Sequence, residues 1–194
     1  MRSGRYASLL LITAQPTTAA QFALLLPKER FAPEYSVCTP REARHVLGEG
    51  RFDVVVIDDS VPADASPPLA DAALESGTGH VLLLAGAEQY DATAAFAEER
   101  GFLTLPSPVD PALLRQSLGL MATASARIHE LEEQTESLRG RMDEMRLVNQ
   151  AKLILVQRFN MTERDAHRFI EKNAMDRCVK RRVIAKSIIR TYQT

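Results

Sequence analysis

The residues of this 194-residue sequence best placed to do chemistry are cations. Arg164, Arg168 and Lys172 recur every four residues, and so do Arg182, Lys186 and Arg190. On a helix that spacing stacks charge along one side. Such a stripe either meets a polyanion or is a solvated helix face. Residues 151–194 hold eleven Lys or Arg against four Asp or Glu, a net +7, while residues 1–150 hold thirteen against twenty-one, a net −8. The near-neutral whole therefore conceals two oppositely charged parts. Other chemistries find less to work with. Cys38 and Cys178 are too far apart to form a zinc motif and read as two reduced thiols, and His45, His80, His129 and His167 lack metal-ligand spacing. No Gly-rich phosphate loop, nucleophile–base pairing or metal set stands out, so neither catalysis nor a metal or cofactor is expected.

The elements that must carry these residues follow from hydrophobic pattern. Residues 8–13, 53–58 and 80–85 are short aliphatic runs ending in polar or turn-forming residues, as suits strands buried on both faces. Weaker strands are expected at Tyr35–Thr39 and Phe102–Leu105, the last closed by Pro106-Ser107-Pro108. Helix-compatible segments, Thr17–Leu26, Pro40–Leu47, Pro68–Glu75 and Tyr90–Glu99, alternate with them. That alternation predicts an α/β domain over residues 1–120, with a five-stranded, doubly wound parallel sheet.

From Pro111 a helical pattern runs without a proline to about Arg158, too long to stand without a partner. With Ile128, Thr135, Met142 and Asn149 at heptad position a, Leu131, Leu138 and Met145 fall at d. This predicts a coiled-coil linker over residues 121–149 and a homodimer; the alternative is one amphipathic helix packed on its own domain. Asn160-Met161 breaks the helix, and Thr162 with Asp165 forms a capping box for the next. Ala166, Phe169, Ile170 and Ala174 are expected on its inner face. A last helix from about Arg177 turns Ile184, Ala185, Ile188 and Ile189 inward, giving a small all-α, three-helix domain over residues 150–194.

The segment Asp53-Val54-Val55-Val56-Ile57-Asp58-Asp59-Ser60-Val61-Pro62, set in the five-strand alternation, resembles the third-strand motif of response-regulator receiver domains. There an aspartate four residues before a proline accepts a phosphoryl group, and Asp58 matches it. The resemblance implies Mg²⁺ held by an acidic pair after the first strand, where this sequence has Thr13 and Ala14. Ala85 stands at the switch hydroxyl of the fourth strand and Ser107 at the lysine after the fifth. A hard octahedral cation needs several oxygens close together, so these replacements dismantle the metal site and the switch. The expectation is a pseudo-receiver whose Asp58 makes turn or cap hydrogen bonds.

The tail is similar to the ANTAR domain, a three-helix RNA-binding module of bacterial transcription antiterminators. The likeness rests on Ala151-Lys152, Ile154-Leu155, Thr162-Glu163, Ala166-His167-Arg168, Ala174-Met175, Ile184-Ala185 and Ile188-Ile189, in that order. The family often has Gly where Leu153 stands and Tyr where His167 stands. The resemblance implies that a dimer recognises paired RNA hairpins in a nascent transcript and frees a downstream gene from a terminator. Unstacked loop bases accept aromatic or guanidinium planes, and phosphates draw Lys and Arg. Lys152, Arg168, Lys172, Lys180 and Arg181 are assigned to phosphate or loop contacts, and His167 and Met175 to the loop-facing surface. Met175 has the alternative of a core residue.

Two other functions stand beside this one: a DNA-binding regulator whose basic helix enters a major groove, and a protein-interaction module in which the first domain docks a sensor protein. The longest apolar runs, such as Val81–Gly86, fall far short of the roughly 20 residues of a membrane span. The charged start Met1–Arg5 leads into an apolar run too short for a signal peptide, so a cytoplasmic location is expected.

Overall fold

The computed structural model describes residues 6–31 and 35–192; the charged start Met1–Arg5 lies outside them. Residue contacts divide the chain into two compact units, Met1–His129 and Glu130–Thr194. Among the described residues no helix is long and apolar enough to cross a membrane.

The first unit is an α/β sandwich. Strands β1 (Leu9–Ile12), β2 (Tyr35–Cys38), β3 (Val54–Ile57), β4 (His80–Gly86) and β5 (Leu103–Ser107) form one parallel sheet in the order β2-β1-β3-β4-β5. Helices α1 (Pro16–Leu25), α2 (Lys28–Phe31), α3 (Pro40–Glu49), α4 (Ser66–Glu75) and α5 (Tyr90–Arg100) join them, and α6 (Pro111–Phe159) begins after the last strand. The five-stranded parallel sheet and the long helix expected from the sequence are both present. Pleating sends alternate residues to opposite faces. Leu9, Leu11, Val54, Val56, Leu82 and Leu84 meet Phe22, Phe31, Leu114, Leu118 and Met121 on one face. Leu10, Ile12, Val55, Ile57, Val81 and Leu83 meet Leu47, Leu69, Ala70, Ala73 and Ala97 on the other. Both faces are apolar because both are covered, which explains why the strands read as unbroken aliphatic runs.

Several boundaries differ from expectation. The one-turn helix α2 was not anticipated; four residues carry no periodicity, although its Phe31 is fully buried. Strand β5 continues through Pro106 to Ser107, because Ala85 and Gly86 of β4 still pair with these residues, and the chain leaves it through a cis Ser107–Pro108 bond. Helix α4 starts two residues early, at Ser66, with prolines in its first turn where no intrahelical N–H is needed.

The strand order reverses direction between β1 and β3, and Leu9↔Val54 to Ile12↔Ile57 pairing brings their C-terminal ends side by side. Thr13 and Asp58 follow those ends directly, at the place where open α/β sheets hold ligands. At the opposite end of β3, Asp53 Oδ2 accepts hydrogen bonds from Ser8 N at 2.7 Å and Ser8 Oγ at 3.0 Å, while its Oδ1 lies 2.5 Å from His129 Nε2. Ser125 Oγ also donates to the Asp53 carbonyl at 3.3 Å. Gly79 passes so close that a Cβ there would lie 3.1 Å from that carbonyl oxygen. Asp53 thus ties β1 and α6 to the start of β3.

Burial alone would raise the Asp53 carboxyl, but the Ser8 backbone N–H, then His129 and the Ser8 hydroxyl, outweigh it and hold it below the ordinary carboxylate range. Burial pushes the neighbouring His80 down, against the opposing pull of Asp53. A depressed folded-state pKa contributes stability that is present above the unfolded value, about 3.9 for Asp, and lost as pH falls through the folded value. Asp53→Asn is therefore expected to unfold at lower denaturant concentration than the parent at pH 7, with the gap closing below about pH 4. A gap independent of pH in urea titrations would contradict this account.

Candidate functional site

At the C-terminal edge of the sheet, Asp58 is 4% exposed. Its Oδ2 accepts from Thr13 Oγ1 at 2.9 Å and from Ser60 Oγ at 2.6 Å. Ser60 Oγ also accepts from Ala14 N at 3.0 Å and lies 3.2 Å from Thr13 Oγ1, and Thr13 Oγ1 accepts from Gln15 N at 3.1 Å. A ring of hydroxyls and backbone N–H groups therefore occupies the edge where a cation would need oxygens. Among the described residues no group of three or more His, Cys, Asp or Glu could hold a metal ion. Ala85 is buried at the end of β4, and Ser107 ends β5. Ser60 was missed in the sequence; its nearness to Asp58 was legible, but not its bond to Ala14.

The second unit is built from the end of α6, α7 (Glu163–Asp176) and α8 (Arg181–Tyr192). Its core is Val148, Ala151 and Leu155 against Ala166, Ile170 and Ala174 and against Ile184, Ala185 and Ile188. Three alanines, 151, 166 and 185, are fully buried, and the short side chains let the helices approach closely. Asn160, at φ 53°, ends α6. Thr162 caps α7, its Oγ1 accepting from Asp165 N at 3.2 Å and donating to Asp165 Oδ2 at 2.6 Å. Two expectations need correction. Phe169 is 41% exposed, since it follows the buried Ala166 by three residues on the flank away from Ala174. The last helix begins at Arg181, not Arg177: Cys178 N and Val179 N bond back to Met175 and Ala174 carbonyls, and Cys178 turns the chain at φ 52°.

A rotation of roughly 100° per residue gives α7 three further faces. One flank, with His167, Glu171 and Met175, borders two connected grooves. Arg141, Glu144, Lys152, His167 and Arg181 line a groove of about 310 Å³, and Met175, Lys180 and Arg181 line a neighbouring one. The other flank, Phe169 and Asn173, borders an apolar pocket with Phe159 and Tyr192. Arg164, Arg168 and Lys172 form the outer face, away from the core.

The structure thus brings Lys152, His167, Met175, Lys180 and Arg181 together along adjoining grooves and leaves Arg168 and Lys172 outside them. Met175 is 77% exposed and takes no part in the core. Two of the cations are already paired. Lys152 Nζ lies 2.8 Å from Glu163 Oε1, and its hydrogen bond, then its charge, lowers the Glu163 carboxyl pKa. Arg181 reaches Glu144 Oε1 at 3.2 Å and Glu171 Oε1 at 3.5 Å, and His167 Nε2 lies 3.3 Å from the same Glu171 oxygen. Arg141 and Glu144 were missed because they lie in the stretch read as linker, outside its seam positions.

Residues 136–189 match the ANTAR domain family. The chain is 25% identical over 142 residues to the transcriptional regulatory protein PdtaR of Mycobacterium tuberculosis, covering 73% of this chain and 69% of that one. It is 32% identical over 111 residues to the aliphatic amidase regulator of Pseudomonas aeruginosa, 55% of each. The first unit has the fold of a response regulator receiver protein from Sinorhizobium medicae (TM-score 0.50, 18% identity, 62% of this chain and 98% of that one). It also has the fold of a two-component transcriptional regulator from Clostridium phytofermentans (TM-score 0.55, 13% identity, 65% and 98%). The class is therefore a receiver fold followed by a helical output unit. More particularly, residues 136–189 of the second unit match the ANTAR domain, and the chain as a whole is similar to the two regulators above.

The two thiols differ in a way that reports on the packing. Burial, with a smaller contribution from the Glu42 charge, pushes the Cys38 thiol up to about 11, whereas Cys178 is exposed in the α7–α8 turn. Thiolate is the reactive form. Iodoacetamide at pH 8 is expected to label the native chain once, at Cys178, as read by peptide mass; equal labelling of Cys38 would contradict the buried assignment.

Proposed function

We propose that this chain is a non-enzymatic, RNA-binding transcription antiterminator that engages paired hairpins of a nascent transcript as a cytoplasmic homodimer. The observation that carries the RNA reading is the ANTAR match over a unit whose two adjoining grooves gather Arg141, Lys152, Lys180 and Arg181 against the carboxylates of Glu144 and Glu171. The Arg181–Glu144 pair is part-exposed, so Arg181 can exchange Glu144 for phosphate at little cost, and Lys152, itself largely covered, reaches outward to the exposed Glu163. The half-exposed His167 and protruding Met175 lie beside them, where an unstacked loop base can be met.

The dimer reading is supported by α6. From Ala126 to Leu147 none of its residues is buried, yet Ile128, Leu131, Leu138, Met142 and Met145 are apolar at seam positions, with exposures from 41% to 69%. A second copy of the same stripe would cover them. On this reading residues 1–120 receive the input, docked by a sensor protein, 121–149 pair two chains, and 150–194 contact RNA.

Binding to a two-hairpin RNA, competed by duplex DNA at matched salt, tests the function. Arg168→Glu with Lys172→Glu should abolish RNA binding while leaving the oligomeric state unchanged in sedimentation. Unchanged affinity would remove the outer face of α7 from the interface, and preference for duplex DNA would overturn the RNA reading.

The receiver unit, in this reading, no longer takes a phosphoryl group. Oδ2 of Asp58 is held by two hydroxyls, and Thr13, Ala14, Ala85 and Ser107 supply neither the acids, the switch hydroxyl nor the compensating lysine. Incubation with Mg²⁺ and acetyl phosphate should leave the intact mass unchanged; a stable adduct on Asp58 would overturn this part.

A further inference from the structure

Given the RNA reading of the second unit, on which the proposal rests, we infer that the pocket on the Phe169 side of α7 is a further nucleobase site, taking one unstacked loop base and the phosphate beside it. The pocket measures about 360 Å³ and lies between the end of α6, α7 and α8. At about 30 Å³ per water it has the volume of roughly twelve waters, which suits a base of about ten heavy atoms. Leu155, Ile184 and Ile188 are buried and form an apolar floor, and Phe159, Phe169 and Tyr192 stand around it.

Two phenylalanines of this small unit are held in water around one pocket. Phe159 and Phe169 are 46% and 41% exposed. The Phe159 and Tyr192 rings meet at 82° with their centroids 5.1 Å apart, so they form a corner rather than a closed stack. An unstacked base brings a π-face of its own, and aromatic side chains cover it whatever its identity. Asn173 Nδ2 donates to the Phe169 carbonyl at 2.8 Å, which fixes a hydrogen-bonding amide on the rim.

Charge selects the partner. Arg177 is the one charged residue lining the pocket, and no Asp or Glu lines it. Lys152 and Arg181 on the opposite flank are paired with carboxylates, whereas the Arg177 guanidinium has neither an ion pair nor a hydrogen bond among the described residues. A phosphate supplies the missing partner, in the geometry a guanidinium favours. Arg168 and Lys172, on the outer face of α7, lie between this pocket and the grooves of Lys152 and Arg181. An α-helix is about 10 Å across, so a loop crossing that face sets its phosphates over the basic stripe and can turn one base toward His167 and Met175 and another toward Phe169. An acidic peptide seated in the pocket alone would leave the stripe without a partner.

The experiment uses the full chain and an RNA that it selects from a pool of two-hairpin transcripts with randomised loops, 2-aminopurine then being placed at each loop purine in turn. At one position the fluorescence should fall on binding to the parent and stay unchanged on binding to Phe169→Ala. Phe169→Ala should weaken binding by about five- to 150-fold, the worth of one stacked base, and Phe169→Trp should restore it. Arg177→Gln should lower the slope of log affinity against log salt by about 0.7, the loss of one phosphate contact on a single strand. Exposed and unpaired, Arg177 keeps the test decisive if Phe169→Ala does not fold. Equal affinity of parent and Phe169→Ala, no loop position whose signal depends on Phe169, or an unaltered salt slope in Arg177→Gln would each overturn the inference and leave the RNA reading standing. A changed sedimentation coefficient for Phe169→Ala would give the pocket to a second copy of the chain and overturn it too. Recovery of no RNA by the parent would overturn both.

Discussion

The structure depends on the unbroken backbone hydrogen bonding of α6. One helix supplies Leu114, Leu118, Met121 and Ala122 to the sheet's core, and Val148, Ala151 and Leu155 to the three-helix core. Each end is stabilised by burial, and helical propensity alone would not hold the stretch between, where nothing is buried. No proline interrupts residues 112–159, and Gly119 and Gly140 each weaken the helix by only about 1 kcal/mol. The exposed seam residues follow from this division of labour. A helix shared by two cores leaves its middle apolar stripe unpartnered unless a second chain supplies the other half.

At the other functional end, the fate of one carboxylate organises the receiver edge. Parallel strand pairing fixes Thr13 beside Asp58 whatever the residue types, because both directly follow paired strand ends. Once the neighbour is a hydroxyl, the edge engages Asp58 Oδ2 locally, through Thr13 and Ser60. The same strand ends that bring an aspartate to the edge of a receiver sheet here hold Asp58 in hydrogen bonds to Thr13 and Ser60. The fold and the edge are set by different residues, because the sheet is held by aliphatic side chains and the edge by a few residues at strand ends.

Strands whose two faces are both covered announce themselves as aliphatic runs, so β1, β3 and β4 were legible directly, the edge strands β2 and β5 only through the strand–helix alternation, and the long helix through its pattern. Features set by backbone bonds to distant or irregular positions were not. The late start of α8 depends on Cys178 adopting φ 52° and on carbonyls of Ala174 and Met175 accepting from the turn, which no periodicity reveals. Phe169 misled because an aromatic next to Ile170 suggests a core, whereas the helix turns it toward an open pocket. In the candidate site, the replacements at Thr13, Ala14, Ala85 and Ser107 were readable by position. The pairing of Lys152 with Glu163 was not, since it joins the end of one helix to the start of the next across the Asn160 turn.

That pairing bears on how a basic surface stays folded when empty. Arg141, Lys152 and Arg181 lie around one groove, and uncompensated like charges in close quarters repel. Glu144 from α6 and Glu163 and Glu171 from α7 relieve the repulsion, and in doing so they also join α6 to α7 and α8 at their edges. The Arg181 pairs are part-exposed, so they add little stability individually and salt screens them, while Lys152, largely covered, meets an exposed Glu163. They therefore hold the cations in place without holding them tightly. A polyanion that replaces the carboxylates meets side chains already oriented along the groove, so less ordering accompanies binding than a surface of free lysines would require.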